Sequence, residues 1–215
     1  MNLKKYNPHA DPGKYYLIWY NDIPPNCSTG YVGIILNDAN PNIKINIEID
    51  DEWMLNNNYR TVALYVDEDH FEDKSTIVLT SNFFKLMMEE EFLCASLWHE
   101  IGHFHTMHYF NTPYFGSSSF EYRMKCFERG LVTKEEQVAD LFSVYYSSKE
   151  DFLKDIQWLI RTRYSNPYEK EERKIAAVNE MRMRRKLIKD LEESDSIIEK
   201  KMCELCDYKG DFSMF

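Results

Sequence analysis

Four of the six histidines in this 215-residue chain fall between positions 99 and 108, within the stretch "ASLWHEIGHFHTMH" (95–108). His99 and His103 are four residues apart, so on an α-helix they lie one turn apart on the same face, with Glu100 about 100° away from His99. At helical pitch, Leu93, Cys94, Leu97, Ile101 and Phe104 make one apolar stripe, and the two histidines point about 140° from its centre. The spacing predicts a helix that buries one side and turns His99 and His103 toward a cleft. Two neutral imidazoles so placed supply two ligands of a tetrahedral Zn2+, and the adjacent carboxylate reaches a water on the metal rather than the metal itself. Such a metal lowers the pKa of the water toward neutrality, and Glu100 takes the proton as the oxygen attacks a carbonyl carbon. Gly102 removes a side chain where another backbone or a substrate comes close.

The competing reading of H-E-x-x-H is a helix whose histidines are satisfied by solvent or neighbouring groups. His105 and His108 fall toward the apolar stripe, which assigns them packing or helix-end roles rather than metal binding. The longer H-E-x-x-H-x-x-G-x-x-H form is excluded, because Thr106 and Tyr109 stand where it needs glycine and histidine.

A zinc ion with an open water position needs one more protein ligand. The segment "VTKEEQVADLFSVYY" (132–146) offers Glu135, Glu136 and Asp140. On a helix, Val138, Leu141, Phe142 and Tyr145 form the buried stripe, and Glu136 and Asp140 share the opposite face one turn apart. Glu136 is then the ligand choice, and Asp140 the carboxylate that holds a ligating imidazole by its free ring N–H. The same letters also fit a capping box, Thr133-x-x-Glu136, in which Glu136 reaches back to a backbone N–H instead. Local sequence leaves these two readings open.

Around these residues the elements change character along the chain. Residues 14–20, 31–36, 42–49, 61–66 and 75–80 read as strands, the third by strict alternation of apolar and polar residues, and Asn-Pro and Pro-Pro steps punctuate them. From residue 82 the pattern is helical, over roughly 82–90, 91–109, 133–147, 150–164 and 168–206. Strands followed by helices predict an α+β fold. The segment "NTPYFGSSSF" (111–120) reads as a loop, and residues 190–215 are expected to fray or pack peripherally.

Composition bounds the rest. With 44% hydrophobic residues the chain can bury a substantial core, and five cysteines make no regular disulfide framework, which points to a reducing compartment. No run of about 18 uncharged apolar residues and no Sec-type signal is visible, so a cytoplasmic protein without a membrane span is expected. A net charge of −10 argues against nucleic acid as a partner, although residues 161–189 hold ten bases against four acids. Cys203 and Cys206 form a lone C-x-x-C without the second pair that a zinc knuckle needs, and they read as incidental thiols. Among the tyrosines, Tyr114 and Tyr122 are the candidates for a hydrogen-bond donor to an oxyanion, against packing roles for each.

The segment "STIVLTSNFFKLMMEEEFLCASLWHEIGH" (75–103) resembles the part of HtpX-like and Ste24-like zinc metallopeptidases in which a strand, a short helix and an acidic turn lead into the H-E-x-x-H helix. "EEQVAD" (135–140) is similar to the downstream Glu-x-x-Ala-Asp of these gluzincins. The resemblance implies that Glu136 is the third zinc ligand and that Asp140 supports the first histidine. A weaker match, "SNPYEKEERKIAAV" (165–178), departs from the family pattern: Asn166 stands in place of its histidine, and the spacing to Arg173 is one residue longer. The membrane helices of HtpX-like proteins are absent. The ImmA/IrrE-like peptidases, which act on transcriptional repressors inside the cell, share the same logic and are a second candidate relation.

Residues and resemblance together lead to the expectation of a zincin-like domain over 1–165, in which an N-terminal, mainly β sheet backs a helical catalytic half. A C-terminal helical extension over 166–215 is packed on it or appended to it. The cleft is expected between an edge strand at 75–80 and the H-E-x-x-H helix, where a peptide or protein substrate adds as an extra strand. The expected function is a soluble zinc metallopeptidase with His99, His103 and Glu136 on Zn2+ and Glu100 as general base. The alternative is a non-catalytic binding protein that keeps zinc to pin two helices and uses the basic 161–189 region as its contact surface.

Overall fold

The computed structural model describes residues 13–21, 23, 27–65, 75–109, 125–126, 128–166 and 169–206, with the side chains of 65, 107–109 and 206 left undescribed. The chain is α+β, and it divides into two compact units, the first ending at Glu91 and the second beginning at Phe92.

The first unit is a five-stranded mixed sheet of β1 (Tyr15–Trp19), β2 (Thr29–Asn37), β3 (Lys44–Asp50), β4 (Val62–Tyr65) and β5 (Thr76–Leu79), in the order β1-β2-β3-β5-β4. All neighbours are antiparallel except β3 and β5, which are parallel. Alternation in "KINIEID" sends Ile45, Ile47 and Ile49 to one fully buried face, where they join Ile35, Ile77 and Leu79. Helix α2 (Ser81–Glu89) contributes Phe83, Phe84 and Met87 to the core, with Phe84 edge-on to Trp19 at 5.5 Å.

Two expectations are corrected in this unit. The strand at 75–80 is not an edge strand: β5 lies between β3 and β4, and all four of its residues are buried. A short apolar run buried on both faces belongs inside a sheet, so the expected peptide-adding edge is not there, and β4 holds that position. The sequence reading also passed over α1 (Asp51–Asn56), which follows β3 directly. Asp50 caps it by accepting from the Trp53 N–H at 2.8 Å, and Met54 packs on Ala63 and Val78. Asp51 accepts from both Ser81 N–H and Ser81 Oγ, fixing the start of α2.

The second unit is helical. A 3-10 turn (Glu91–Leu93) leads into α3 (Cys94–Tyr109), followed by α4 (Lys134–Tyr146), α5 (Lys149–Tyr164), α6 (Glu171–Lys189) and α7 (Asp195–Cys206). Ser148 caps α5 through the Asp151 N–H, with acids in its first turn and Arg161 and Arg163 in its last, as the helix dipole favours. The single helix expected over 168–206 is two helices, interrupted at Asp190 after α6. Nor are Leu191 and Ile198 peripheral: they are 4% and 1% exposed and share a cluster with Leu141, Val144, Phe152, Ile156 and Ile188, while residues 207–215 of the segment expected to fray lie outside the described residues. No helix among the described residues is long and apolar enough to cross a membrane. Truncating Ile198 to alanine is expected to destabilise the protein by about 2 to 4 kcal/mol in urea unfolding, as for a buried core position. A change within about 0.5 kcal/mol would mark α7 as peripheral.

Candidate metal centre

Helix α3 buries Leu97, Ile101 and Phe104 of the expected stripe, Leu93 is buried in the turn before it and Cys94 is half-buried, while its other face carries His99 and His103. Two hydrogen bonds fix its first turn: Ser143 Oγ on α4 donates to Ala95 O at 2.7 Å, and Ser96 Oγ donates to Asp155 Oδ2 on α5, also at 2.7 Å. Farther along, Gly102 faces α4 at very close range. A Cβ at Gly102 would lie 2.8 Å from Ala139 Cα and 2.9 Å from Phe142 Cβ. The missing side chain therefore admits another backbone, and that approach brings the histidine face of α3 to the Glu136–Asp140 face of α4.

Thr133 Oγ1 makes no cap hydrogen bond on α4 and is buried without a partner among the described residues. The capping box is thus not formed through the threonine, and Glu136 is turned to the histidines instead. His99 Nε2 and His103 Nε2 are 3.1 Å apart, Glu136 Oε2 lies 3.4 Å from the first and Glu136 Oε1 3.8 Å from the second. Ligand atoms about 2.0 to 2.1 Å from a tetrahedral zinc are separated from one another by about 3.3 to 3.5 Å. One ion therefore fits these three side chains with small adjustment. Two neutral Nε2 acceptors do not rest 3.1 Å apart without a cation or a proton to share.

Asp140 Oδ1 accepts from His99 Nδ1 at 2.9 Å. That bond assigns the ring proton to Nδ1 and leaves Nε2 as the ligating atom. Behind the carboxylates sits a residue that the sequence reading did not single out, Arg184 on α6. Its Nε donates to Asp140 Oδ2 at 2.9 Å, its Nη2 to Asp140 Oδ1, and its Nη1 pairs with Glu136 Oε2 at 2.8 Å. One fork of donors thus holds the ligand and its neighbour together. The signal was present: on α6, Ala177, Met181 and Ile188 form an inward stripe at helical spacing, and Arg184 lies on it. An arginine on an apolar stripe needs buried partners.

The charges respond strongly to one another. Burial and the Arg184 charge both push the His99 imidazole down, but hydrogen bonds to Asp140 and Glu136 outweigh them and raise it to about 9 in the metal-free protein. Burial alone would raise Asp140, yet Arg184 and His99 hold it below the usual carboxylate range. Burial likewise opposes the Arg184 charge, and Asp140 and Glu136 overcome it. Burial pushes Asp155 up to about 8, against the Ser96 hydrogen bond and the charges of His99 and Arg184.

Of the other expected residues, Glu100 is half-buried beside His99, and His105 is buried against the Phe142 ring with centroids 5.1 Å apart. Cys203 is half-buried and in no disulfide. Tyr114, Tyr122 and the side chains of His108 and Cys206 lie outside the described residues. Among the described residues, His99, His103 and Glu136 form the group positioned to hold a metal ion. Comparison of the chain with protein-family models, with curated proteins and with solved structures gave no match.

Replacing Gly102 with alanine should force α3 and α4 apart, cost about 1 to 3 kcal/mol of stability and weaken zinc binding as read by chelator competition. Unchanged zinc affinity would separate the helix contact from the site. The pH dependence has a definite sign. Without metal, the charged His99 contributes stability that is fully present below pH 6.5 and lost as pH rises through about 9. Metal needs the neutral ring, so apparent zinc affinity should rise roughly tenfold per pH unit on approaching pH 9 from below. A flat profile in a competition titration would contradict this assignment.

Proposed function

We propose that the chain is a zinc metallopeptidase of gluzincin type, with a zincin-like catalytic region that resembles the HtpX-like and Ste24-like enzymes without their membrane helices. The observation that carries this reading is Glu136. A glutamate 33 residues beyond the second histidine places its two oxygens 3.4 and 3.8 Å from the two ring nitrogens of an H-E-x-x-H helix. Asp140 supports it by fixing the tautomer of His99, and Cys27, Cys94, Cys126 and Cys203, none of them in a disulfide, fit a reducing compartment.

His99, His103 and Glu136 would hold the ion. When bound, zinc supplies Lewis acidity and brings the pKa of a water toward neutrality. Glu100 would act as general base, taking a proton from a water that attacks the carbonyl carbon of a peptide and returning it to the leaving amine when the C–N bond breaks. Asp140 and Arg184 keep the ligating groups in place through the reaction, Asp140 at His99 Nδ1 and Arg184 at Glu136 Oε2. The substrate is a peptide or a protein.

A second reading takes support from the same geometry, since the site joins α3, α4 and α6 and a zinc ion there would also pin helices together. One variant separates the two. Glu100→Gln should retain zinc and lose about 100-fold to 10,000-fold of peptide hydrolysis, the contribution of a general base. Cleavage products mapped by mass spectrometry from a cell-extract proteome should appear with the parent chain and not with the variant. Zinc-loaded protein giving identical peptide maps for both would sink the enzyme and leave the structural pin.

A further inference from the structure

A groove of about 680 Å³ runs along α5 and is lined by none of the metal-centre residues. Phe92 and Trp158 contribute apolar surface to it, and Lys149, Lys154, Arg161 and Arg185 outnumber Glu150 and Glu193. Two of the four cations are engaged within the chain. Lys154 Nζ pairs with Glu150 at 2.7 Å, and Lys149 Nζ donates to Leu191 O. Arg161 and Arg185 have no anionic partner among the described residues, and the Nε–H of Arg185 is buried without an acceptor.

The exposed Arg161 and the half-buried Arg185 line a groove that also presents a tryptophan, and tryptophan and arginine are the residue types in which binding energy concentrates at protein interfaces. We propose that this groove docks an acidic segment of a protein partner. A carboxylate of the partner accepts from Arg185 and Arg161, and an apolar side chain next to it rests against Trp158 and Phe92.

The apolar surface of Phe92 and Trp158 beside Arg161 and Arg185 suits a polypeptide, which brings a carboxylate and an apolar side chain together in one short segment. Arg161 is on the last turn of α5 and exposed, so a partner reaches it without rearrangement of the fold.

The test is fluorescence anisotropy with a short labelled peptide of glutamates around one phenylalanine, titrated with the full chain carrying Glu100→Gln. In that background the readout is binding alone, whether or not the parent chain cuts peptides. The peptide should bind, and its affinity should fall with added salt. A matched glutamine peptide and the Arg161→Gln, Arg185→Gln double variant should each bind about tenfold more weakly or worse, as when a charge pair is truncated. Arg161→Gln alone, at an exposed position, should show part of the loss and keeps the test open if the Arg185 change unfolds the protein. The proposal is overturned if the acidic peptide does not bind, if glutamate and glutamine peptides bind alike, or if the double variant binds as its parent does. Displacement of the peptide by a labelled oligonucleotide, lost in the double variant, would overturn it in favour of a nucleic-acid groove.

Discussion

The candidate metal centre depends on how closely α3 and α4 approach at Gly102. Ala139 and Phe142 occupy the space where a side chain would begin, so the two helices meet backbone to backbone over one turn. His99 and His103 lie within one turn of Gly102, and Glu136 and Asp140 lie within one turn of Ala139. A single contact therefore sets the separation of the four side chains of the candidate site. The hydrogen bonds from Ser143 to Ala95 and from Ser96 to Asp155 lock the preceding turn of α3 to α4 and α5, which prevents the helices from sliding. Precision at the site is thus a property of packed helices rather than of loops.

The electrostatics follow from that enclosure. With His99 protonated, its charge and that of Arg184 balance Glu136 and Asp140, and the buried group is neutral without a metal. When His99 is neutral the same four groups carry one net negative charge, and a divalent ion turns that into one net positive charge. Removing a charge from such a group leaves its partner buried and uncompensated, which costs far more than the pair contributes when intact. This is why Arg184 belongs to the same buried group as His99, Glu136 and Asp140. It keeps two carboxylates from repelling each other while both are held against one imidazole.

Much of this was legible in residue spacing, because helical periodicity is a local property. The stripe through Leu93, Leu97, Ile101 and Phe104 determined which way His99 and His103 face, and the pairing of Glu136 with Asp140 followed from the same pitch. Glu136 itself was ambiguous, since a T-x-x-E stretch serves a capping box as readily as a ligand. The choice was made by tertiary contact, with the Thr133 hydroxyl left uncapping and Glu136 drawn to Arg184 and the histidines. Arg184 was hidden among seven basic residues of α6, where only its register with Ala177 and Ile188 set it apart. Sheet order was not readable at all: "STIVLT" is consistent with an edge or an inner strand until β4 is found beyond it. The short α1 was lost because six residues after a strand offer too little periodicity to recognise.

The central claim is that His99, His103 and Glu136 are ligands of one zinc ion. X-ray absorption at the zinc edge of the purified protein tests it most directly. The account predicts one zinc per chain in a four-coordinate shell of nitrogen and oxygen at about 2.0 to 2.1 Å, with the outer-shell scattering of two imidazoles and no sulfur. Protein without zinc, or a shell containing sulfur at about 2.3 Å, would contradict it.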